Sequence, residues 1–195
     1  MDADQVTALR ILLGSSTWLQ RTMSFGRALR GSAPRSAGGL LIVGTPDEEP
    51  WHLAAHLDQE SRMAGIPELA PTLVRWAPPP GAAPHLRVGM SRLEQAGRGE
   101  TLFVVAPDAA PAPLLERVHD ARRVGATILA MDQGDPDLDD MAHEYLSVEP
   151  GLAPVSFDAA QHLVSAAVGE PVPSRDGLRS RLARLLDAVS GTQPD

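Results

Sequence analysis

The stretch at residues 38–62, GGLLIVGTPDEEPWHLAAHLDQESR, decides how this chain folds. The continuous apolar run at 40–44 is typical of a strand buried on both faces of a parallel sheet. An acidic turn at 45–50 separates it from a helix that carries His52 and His56. In an open α/β sheet, such a turn lies at the carboxyl end of the first strand, where ligands usually bind. Its three carboxylates are those of Asp47, Glu48 and Glu49. We therefore expect an acidic strand-end site that opposes an anion arriving without a metal.

The rest of the chain continues this alternation of strands and helices. The predicted strands are 40–44, 72–76, 101–105, 126–131 and 145–148. The predicted helices are 51–64, about 86–96, 112–123, 137–143, 157–168 and 176–189. Right-handed crossovers assemble such units into one parallel sheet. The pattern therefore predicts an α/β fold with five parallel strands and helices on both faces.

Two helices are predicted before the sheet, with Asp2 or Asp4 capping the first and Ser16 capping the second. The predicted segments are an N-terminal helical arm at 1–37, an α/β domain with a C-terminal helix at 38–190, and a disordered tail at 191–195. Leucines form a stripe along the last helix, 176–189, which predicts docking on its own sheet or on a second subunit. We expect a homo-oligomer, either a dimer or a tetramer.

The composition excludes several classes of chemistry. The 195 residues include no cysteine, which excludes thiol nucleophiles and cysteine-ligated metals. All 17 basic residues are arginine, so a Schiff-base lysine and a P-loop lysine are both absent. The chain lacks an apolar run of the roughly 18 residues that span a membrane, and it lacks a secretory signal, so we expect a cytoplasmic location. It also lacks nucleophile-elbow, Walker and dinucleotide motifs, which argues against hydrolase, NTPase and Rossmann oxidoreductase functions.

The charge is distributed unevenly along the chain. Five arginines and no acid lie between Asp4 and Asp47, which gives that stretch +5 and the rest of the chain −13, for a net −8. The net negative charge argues against nucleic-acid binding. The basic arm, which includes Arg21, Arg27 and Arg30, favours self-association or an acidic protein partner. A solvated helix face is the alternative interpretation.

The second half of the chain has a recognisable order of elements: TLFVV at 101–105, LLERVHDARRVGATILA at 114–130 and LDDMAHEYLSV at 138–148. This order resembles the sugar isomerase (SIS) domain. GLLIVG at 39–44 resembles the first strand of that family, and WHLAAHL at 51–57 resembles the next helix in its phosphoheptose isomerase branch. The resemblance spans roughly residues 38–170. It implies a flavodoxin-like sheet of SIS type with N-terminal and C-terminal helical extensions.

The loops at the strand ends depart from the SIS pattern. By resemblance, the loop after the third strand should read Ser-x-Ser-Gly-x-Ser/Thr and surround a phosphate, but this chain has APDAAP at 106–111. Two prolines lack N–H groups, and Asp108 adds a charge of the wrong sign for a phosphate. The structural interpretation of Asp108 is a helix cap. The predicted ligand-binding residues are Gly44, Thr45, Asp47, Glu48, Glu49, Ala106, Asp108 and Asp132. Their acidity favours a cationic or metal-bridged ligand over a bare phosphate ester.

His52 and His56 are four residues apart, so on a helix they share the face from which two imidazoles can bind one metal. In the phosphoheptose isomerase branch, a comparable helix and a late helix supply a zinc site between subunits. By resemblance, His52 takes the place of the first histidine and His56 falls where a glutamate is expected, while Gln161 and His162 lie on the late helix. We therefore predict a zinc site of His52, His56 and His162, with Glu48, Glu49 or Glu60 as a nearby acid or base. The structural interpretation is that His52 orients the loop, while His56 and His162 pack between helices.

Four aspartates between 135 and 140 invite a calcium interpretation, but the glycine and glutamate of an EF-hand loop are missing. We predict instead that they form the cap and first turn of a short helix, where carboxylates oppose the helix dipole. Asp132 ends the fourth predicted strand. It is either a ligand contact or a turn residue before Gly134.

These observations predict a degenerate SIS-like protein. It would bind a small carbohydrate-derived ligand or a protein partner and have no catalytic activity. The alternative is a metal-dependent phosphosugar isomerase of the phosphoheptose isomerase type, which uses the three histidines and a glutamate. A third hypothesis is a scaffold whose N-terminal arm recruits an acidic protein.

Overall fold

The computed structural model describes residues 3–14, 16–34 and 36–169. The strands in this part of the chain are β1 (Leu40–Val43), β2 (Thr72–Val74), β3 (Thr101–Ala106), β4 (Thr127–Asp132) and β5 (Glu144–Ser147). The α-helices are α1 (Ala3–Leu13), α2 (Thr17–Gly31), α3 (Trp51–Ala64), α4 (Ala112–Arg123), α5 (Pro136–Met141) and α6 (Phe157–Gly169). Short 3₁₀ helices occur at Pro67–Leu69, Pro84–Leu86 and Met90–Gln95. The helix predicted at 176–189 and the predicted tail lie outside the described residues.

The five strands form one parallel sheet in the order β2-β1-β3-β4-β5. This is the flavodoxin-like order, and it confirms the predicted fold class. Every residue of β1 and β3 is buried, as expected for continuous apolar runs in a sheet that is covered on both faces. Leu40 and Ile42 pack with α2, α3 and α6, whereas Leu41 and Val43 pack with α4 and α5. The connections diverge between β1 and β3, which is where this fold usually binds a ligand.

Helix α2 packs on the same face of the sheet as α6. The rings of Phe25 and Phe103 lie 5.5 Å apart, and Leu29 is fully buried. A Cβ atom on Gly26 would lie 2.5 Å from Cβ of Ala167, so the two helices cross with little room between their backbones. The boundary at residue 37 stays a prediction. The described residues on its N-terminal side contribute to the core of the domain.

The local signals for α2 are confirmed. The Ser16 hydroxyl accepts a hydrogen bond from the Leu19 amide at 3.2 Å, which is the predicted N-cap. At the other end of the helix, the Arg30 guanidinium donates at 2.7 Å to the Val168 carbonyl near the end of α6. This bond gives a partner to one of the carbonyls that a helix terminus leaves open. Of the arginines named for the predicted arm surface, Arg21 and Arg27 are exposed.

The prediction of one helix at about 86–96 is wrong. Two separate 3₁₀ helices, which begin at Pro84 and Met90, occupy this part of the chain. Between them the chain pairs with the end of β2. The Arg75 amide donates at 2.8 Å to the Val88 carbonyl, and Gly89 forms a parallel bridge with Arg75. This pairing extends the backbone in the middle of the predicted helix, so a continuous helix cannot form there.

The described part of the chain contains no helix with both the length and the apolar character needed to cross a membrane.

Candidate functional site

The loop after β1 is folded tightly against itself. A Cβ atom on Gly44 would lie 2.0 Å from the Glu48 carbonyl oxygen, so only glycine fits at this position. The Trp76 indole N–H donates at 2.9 Å to the Gly44 carbonyl, which ties the loop to the end of β2. Thr45 is 2% exposed, and within the described residues its hydroxyl oxygen has no hydrogen-bond partner. Thr45 therefore places a buried hydroxyl at the β1/β3 switch point.

The three carboxylates of this loop are not equivalent. Glu49 accepts hydrogen bonds at 3.0 and 3.1 Å from Nε of Arg75, and both side chains are largely buried. Asp47 and Glu48 are exposed to solvent. Arg75 was missed by the sequence analysis, although its position at the end of a predicted strand beside an acidic loop was an available signal. Pairing with Arg75 neutralises one of the three charges, so the rim beside β1 is less acidic than predicted.

A second group of strand-end loops borders an open cleft of about 450 Å³. One wall is the loop after β3, and the other is the loop after β4 with the start of α5. The lining residues are Pro107, Asp108, Ala109, Ala110, Gln133, Gly134, Asp135, Pro136 and Asp137. Three of these described lining residues carry carboxylates, and none carries a cationic side chain. Ala106 is fully buried behind this wall, whereas Asp108 is exposed.

Two aspartates accept hydrogen bonds from backbone N–H groups of the loops that form this cleft. The Asp132 Oδ1 atom accepts from the Gly134 amide at 2.7 Å and from the Asp135 amide at 3.4 Å. The Asp135 Oδ1 atom accepts from the first two amides of α5 that lack a helical partner, at 3.0 and 3.2 Å. Its other oxygen, Oδ2, accepts from the Ala110 amide in the opposite wall at 2.7 Å. Five backbone N–H groups of the cleft therefore have carboxylate partners within the protein.

The turn role of Asp132 and the helix-cap role of Asp135 are confirmed by these contacts. The cap predicted for Asp108 is wrong. The residue at the N-cap of α4 is Pro111, whose backbone is extended and which makes no side-chain cap bond. A second proline, at position 113, lies in the first turn of α4, where a missing N–H group costs nothing. Asp108 is left free of a structural role in α4.

Asp132 and Asp139 form a carboxyl pair beside the cleft. Asp132 is fully buried, and this burial raises its pKa although the Gly134 amide partly offsets the effect. Burial and the hydrogen bond with Asp132 raise the pKa of Asp139 to about 7. The negative charges of Asp135 and Asp140 add to this increase. The raised pKa values favour a proton on the pair, and a shared proton stabilises the close approach of the two carboxyl groups.

The structure brings together two of the three histidines that were predicted to bind metal. The rings of His56 on α3 and His162 on α6 lie 4.6 Å apart, edge to face. His162 is buried, and burial lowers its pKa. His52 is exposed, and its ring lies 3.5 Å from the Trp51 ring. Glu60 lies one turn beyond His56, and partial burial raises the pKa of its carboxyl group.

These histidines do not by themselves form a zinc site. Within the described residues, no group of three or more His, Cys, Asp or Glu side chains is arranged to hold a metal ion. Two imidazoles alone would leave a tetrahedral zinc without its third protein ligand. Metal binding by His52, His56 and His162 therefore stays a prediction.

Comparisons with known proteins support the fold. No protein family model matches the chain, and no curated protein matches it. The sugar isomerase domain of the RpiR transcription factor from Sphaerobacter thermophilus is 17% identical, with a TM-score of 0.50 over 94% of this chain and 97% of that one. A proposed phosphosugar isomerase from Silicibacter pomeroyi DSS-3 is 14% identical, with a TM-score of 0.49 over 91% of this chain and 50% of that one.

A proposed sugar-binding protein from Salmonella typhimurium LT2 is 16% identical, with a TM-score of 0.45 over 86% of this chain and 52% of that one. The chain thus spans about half the length of the Silicibacter and Salmonella proteins. At such identities the likeness concerns architecture alone. The sheet order and the match to the Sphaerobacter domain together show that this protein has the flavodoxin-like α/β fold of a sugar isomerase domain.

Proposed function

We propose that this protein is a non-catalytic binding domain of SIS type. Its ligand is a small carbohydrate derivative that carries hydroxyl or amino groups and no phosphate. The observation that carries this proposal is the charge of the cleft after β3 and β4, which is lined by Asp108, Asp135 and Asp137 and, among the described residues, by no cation. Carboxylates accept hydrogen bonds from hydroxyl groups and attract ammonium groups, and they repel phosphate esters.

The size and position of the cleft support this class of ligand. A volume of about 450 Å³ lies within the range of pockets that hold small molecules. The cleft opens at the carboxyl ends of parallel strands, which is the usual ligand position in this fold. The Sphaerobacter structure belongs to a transcription factor, so this fold also occurs in a regulatory protein.

The absence of suitable acid–base groups supports a role without catalysis. The described lining residues include no histidine and no glutamate. Asp139, whose pKa of about 7 would suit proton transfer, is not among the residues that line the cleft. Isomerisation of a sugar needs a group that removes a proton from carbon and returns it. The carboxylates of this cleft are poorly suited to that task, because Asp108 and Asp137 are exposed to solvent and both oxygens of Asp135 already accept backbone hydrogen bonds.

Thermal unfolding with a panel of ligands tests the proposal. We expect glucosamine to raise the unfolding temperature, glucose to raise it less, and glucose 6-phosphate to leave it unchanged. Asp108→Asn should weaken the glucosamine response because it removes an exposed charge from the cleft. Glu116→Gln is the matched control, since it removes a charge of α4 outside the cleft. A response to glucose 6-phosphate alone would refute the proposal.

One observation favours the enzyme alternative. His56 and His162 meet across α3 and α6, with Glu60 one turn away. A zinc-dependent phosphosugar isomerase would need this pair to acquire a further ligand. Zinc analysis of the purified full chain, with His56→Ala as the variant, separates the two functions. Stoichiometric zinc that is present in the wild type and lost in the variant would favour the enzyme. If neither protein contains zinc, the enzyme alternative is wrong.

A further inference from the structure

A groove of about 550 Å³ runs between α4 and α5, on the face of the sheet opposite α6. Its floor is apolar, because Leu115 of α4 and Met141 of α5 lie half-buried there against the core. His119 also lines the groove, and none of its described lining residues is an arginine. The walls carry four carboxylates, those of Glu116, Asp120, Asp137 and Asp140.

The protein itself neutralises little of this charge. Asp120 lies 3.6 Å from the Arg123 guanidinium in an exposed pair. Arg122 donates at 2.8 Å to the backbone carbonyl of Asp140, and the Asp140 carboxylate forms no ion pair with a described residue. The same holds for the other two wall carboxylates. An apolar floor between acidic walls fits an amphipathic helix that carries arginines.

The chain contains a segment with the complementary pattern. Residues 177–186, GLRSRLARLL, lie outside the described residues and include three arginines and no acid. Their leucines recur at helical spacing, at positions 178, 182, 185 and 186. On the helix predicted here, where successive residues are about 100° apart, Arg179 and Arg181 would flank this leucine stripe on its two sides. The leucines would then meet the apolar floor, and each acidic wall would face one arginine.

We propose that the segment at 177–186 of one copy of this chain docks in the groove between α4 and α5 of a second copy. Each copy gives one segment and receives one, so the contact closes as a symmetric dimer. This assembly goes beyond the proposed function, and it does not depend on the ligand of the cleft after β3 and β4.

The end of the described chain favours a second copy over docking within one molecule. A Cβ atom on Gly169, the last residue of α6, would collide with the Glu60 carboxylate near the end of α3. This end of α3 points away from the carboxyl end of β1, so Gly169 lies towards the opposite edge of the sheet. The seven residues at 170–176 span at most about 25 Å. Within one molecule they would have to pass all three layers and then run back along α4, whereas a second copy needs no such path.

Charge exchange between groove and segment tests the proposal in the full chain, with sedimentation velocity as the measure of mass. One variant combines Glu116→Arg with Asp140→Arg, which reverses one charge on each wall. The other combines Arg179→Glu with Arg181→Glu. We expect wild type to be a dimer. Each variant should be a monomer, with the dimer Kd raised at least about 100-fold because like charges then face each other.

Mixing the two variants provides the decisive measurement. In a dimer with one chain of each kind, both grooves meet a segment of opposite charge. The mixture should therefore form a heterodimer, which native mass spectrometry identifies from the different masses of the two chains. This rescue separates a contact between copies from damage to the fold and from docking within one molecule, since neither of those is repaired by mixing.

Asp47→Arg with Glu48→Arg is the matched control, because it reverses two exposed charges of the loop after β1 and should leave the dimer intact. Should the reversed groove fail to fold, Glu116→Gln with Asp140→Asn is the second variant, with an expected rise in Kd of at least about tenfold. A monomeric wild type, a dimer that survives the changes in the groove, or a mixture without heterodimer would each overturn the inference.

Discussion

Asp139→Asn should reduce the loss of folding stability that the protein suffers as pH rises. In the wild type, burial and the Asp132 carboxyl group raise the pKa of Asp139 to about 7. The asparagine side chain of the variant has an amide group that can donate a hydrogen bond to Asp132, but it cannot ionise. The substitution therefore removes the penalty of placing a second negative charge beside Asp132 and leaves the size of the side chain nearly unchanged.

The magnitude follows from linkage between protonation and folding. A carboxyl whose pKa is raised on folding binds its proton more tightly in the native state, so the native state loses stability as pH rises from the unfolded pKa towards the folded one. A shift from 3.8 to about 7 corresponds to about 4 kcal/mol if the whole shift is counted. Asp139 is only half-buried, and solvent screening reduces this value, so we expect about 1–2 kcal/mol. The loss is complete near pH 8, about one unit above the pKa of the folded state.

Urea unfolding at pH 5, 6, 7 and 8 measures this effect. The stability difference between Asp139→Asn and wild type should grow in favour of the variant by about 1 kcal/mol across this range. Asp137→Asn is the matched control, because it removes an exposed charge from the same helix without touching Asp132. Parallel pH profiles for wild type and Asp139→Asn would show that the proton shared with Asp132 is not linked to stability.

Three further substitutions test the packing of α2. Gly26→Ala places a Cβ atom 2.5 Å from that of Ala167, so overpacking should lower the free energy of unfolding in urea by about 1–2 kcal/mol. Gly31→Ala is the control, because a Cβ atom at this position meets open space and should be neutral or stabilising. Ser16→Ala removes the N-cap and should lower the free energy of unfolding by about 1 kcal/mol; an unchanged midpoint would contradict the capping role. Arg30→Met removes the 2.7 Å bond to the end of α6 and should cost about 1 kcal/mol, with faster amide exchange at that end as a separate readout.

The sheet could be predicted because its information is local. The run at 40–43 is apolar at every position, and α3 and α4 begin and end at the predicted residues, 51–64 and 112–123. Continuous apolar runs and helix-length segments between them leave few arrangements for a parallel sheet. The helix prediction at 86–96 failed because the structure there depends on a contact that is not local. The helix-like composition of this segment was overridden by pairing of residues 88 and 89 with the end of β2, which no local pattern reveals.

The candidate site was only partly predictable. The loops at the strand ends could be located, because strand boundaries determine them. The pairing of Glu49 with Arg75 could not, because the two residues are 26 positions apart and meet only through strand register. The sequence pattern predicts that the aspartates after β4 cap a helix, but it does not reveal the bond from the Ala110 amide to Asp135, which depends on how two loops face each other.

The burial of α2 bears on how this protein can be dissected. Phe25 and Leu29 cover the sheet at Phe103, so a shortened chain that starts near residue 37 would expose an aromatic ring and the flank of α6 to water. Such a fragment is a candidate for aggregation. Helix α2 therefore covers part of the hydrophobic interior, and any search for partners of its exposed arginines is better made by changing single surface charges than by truncation.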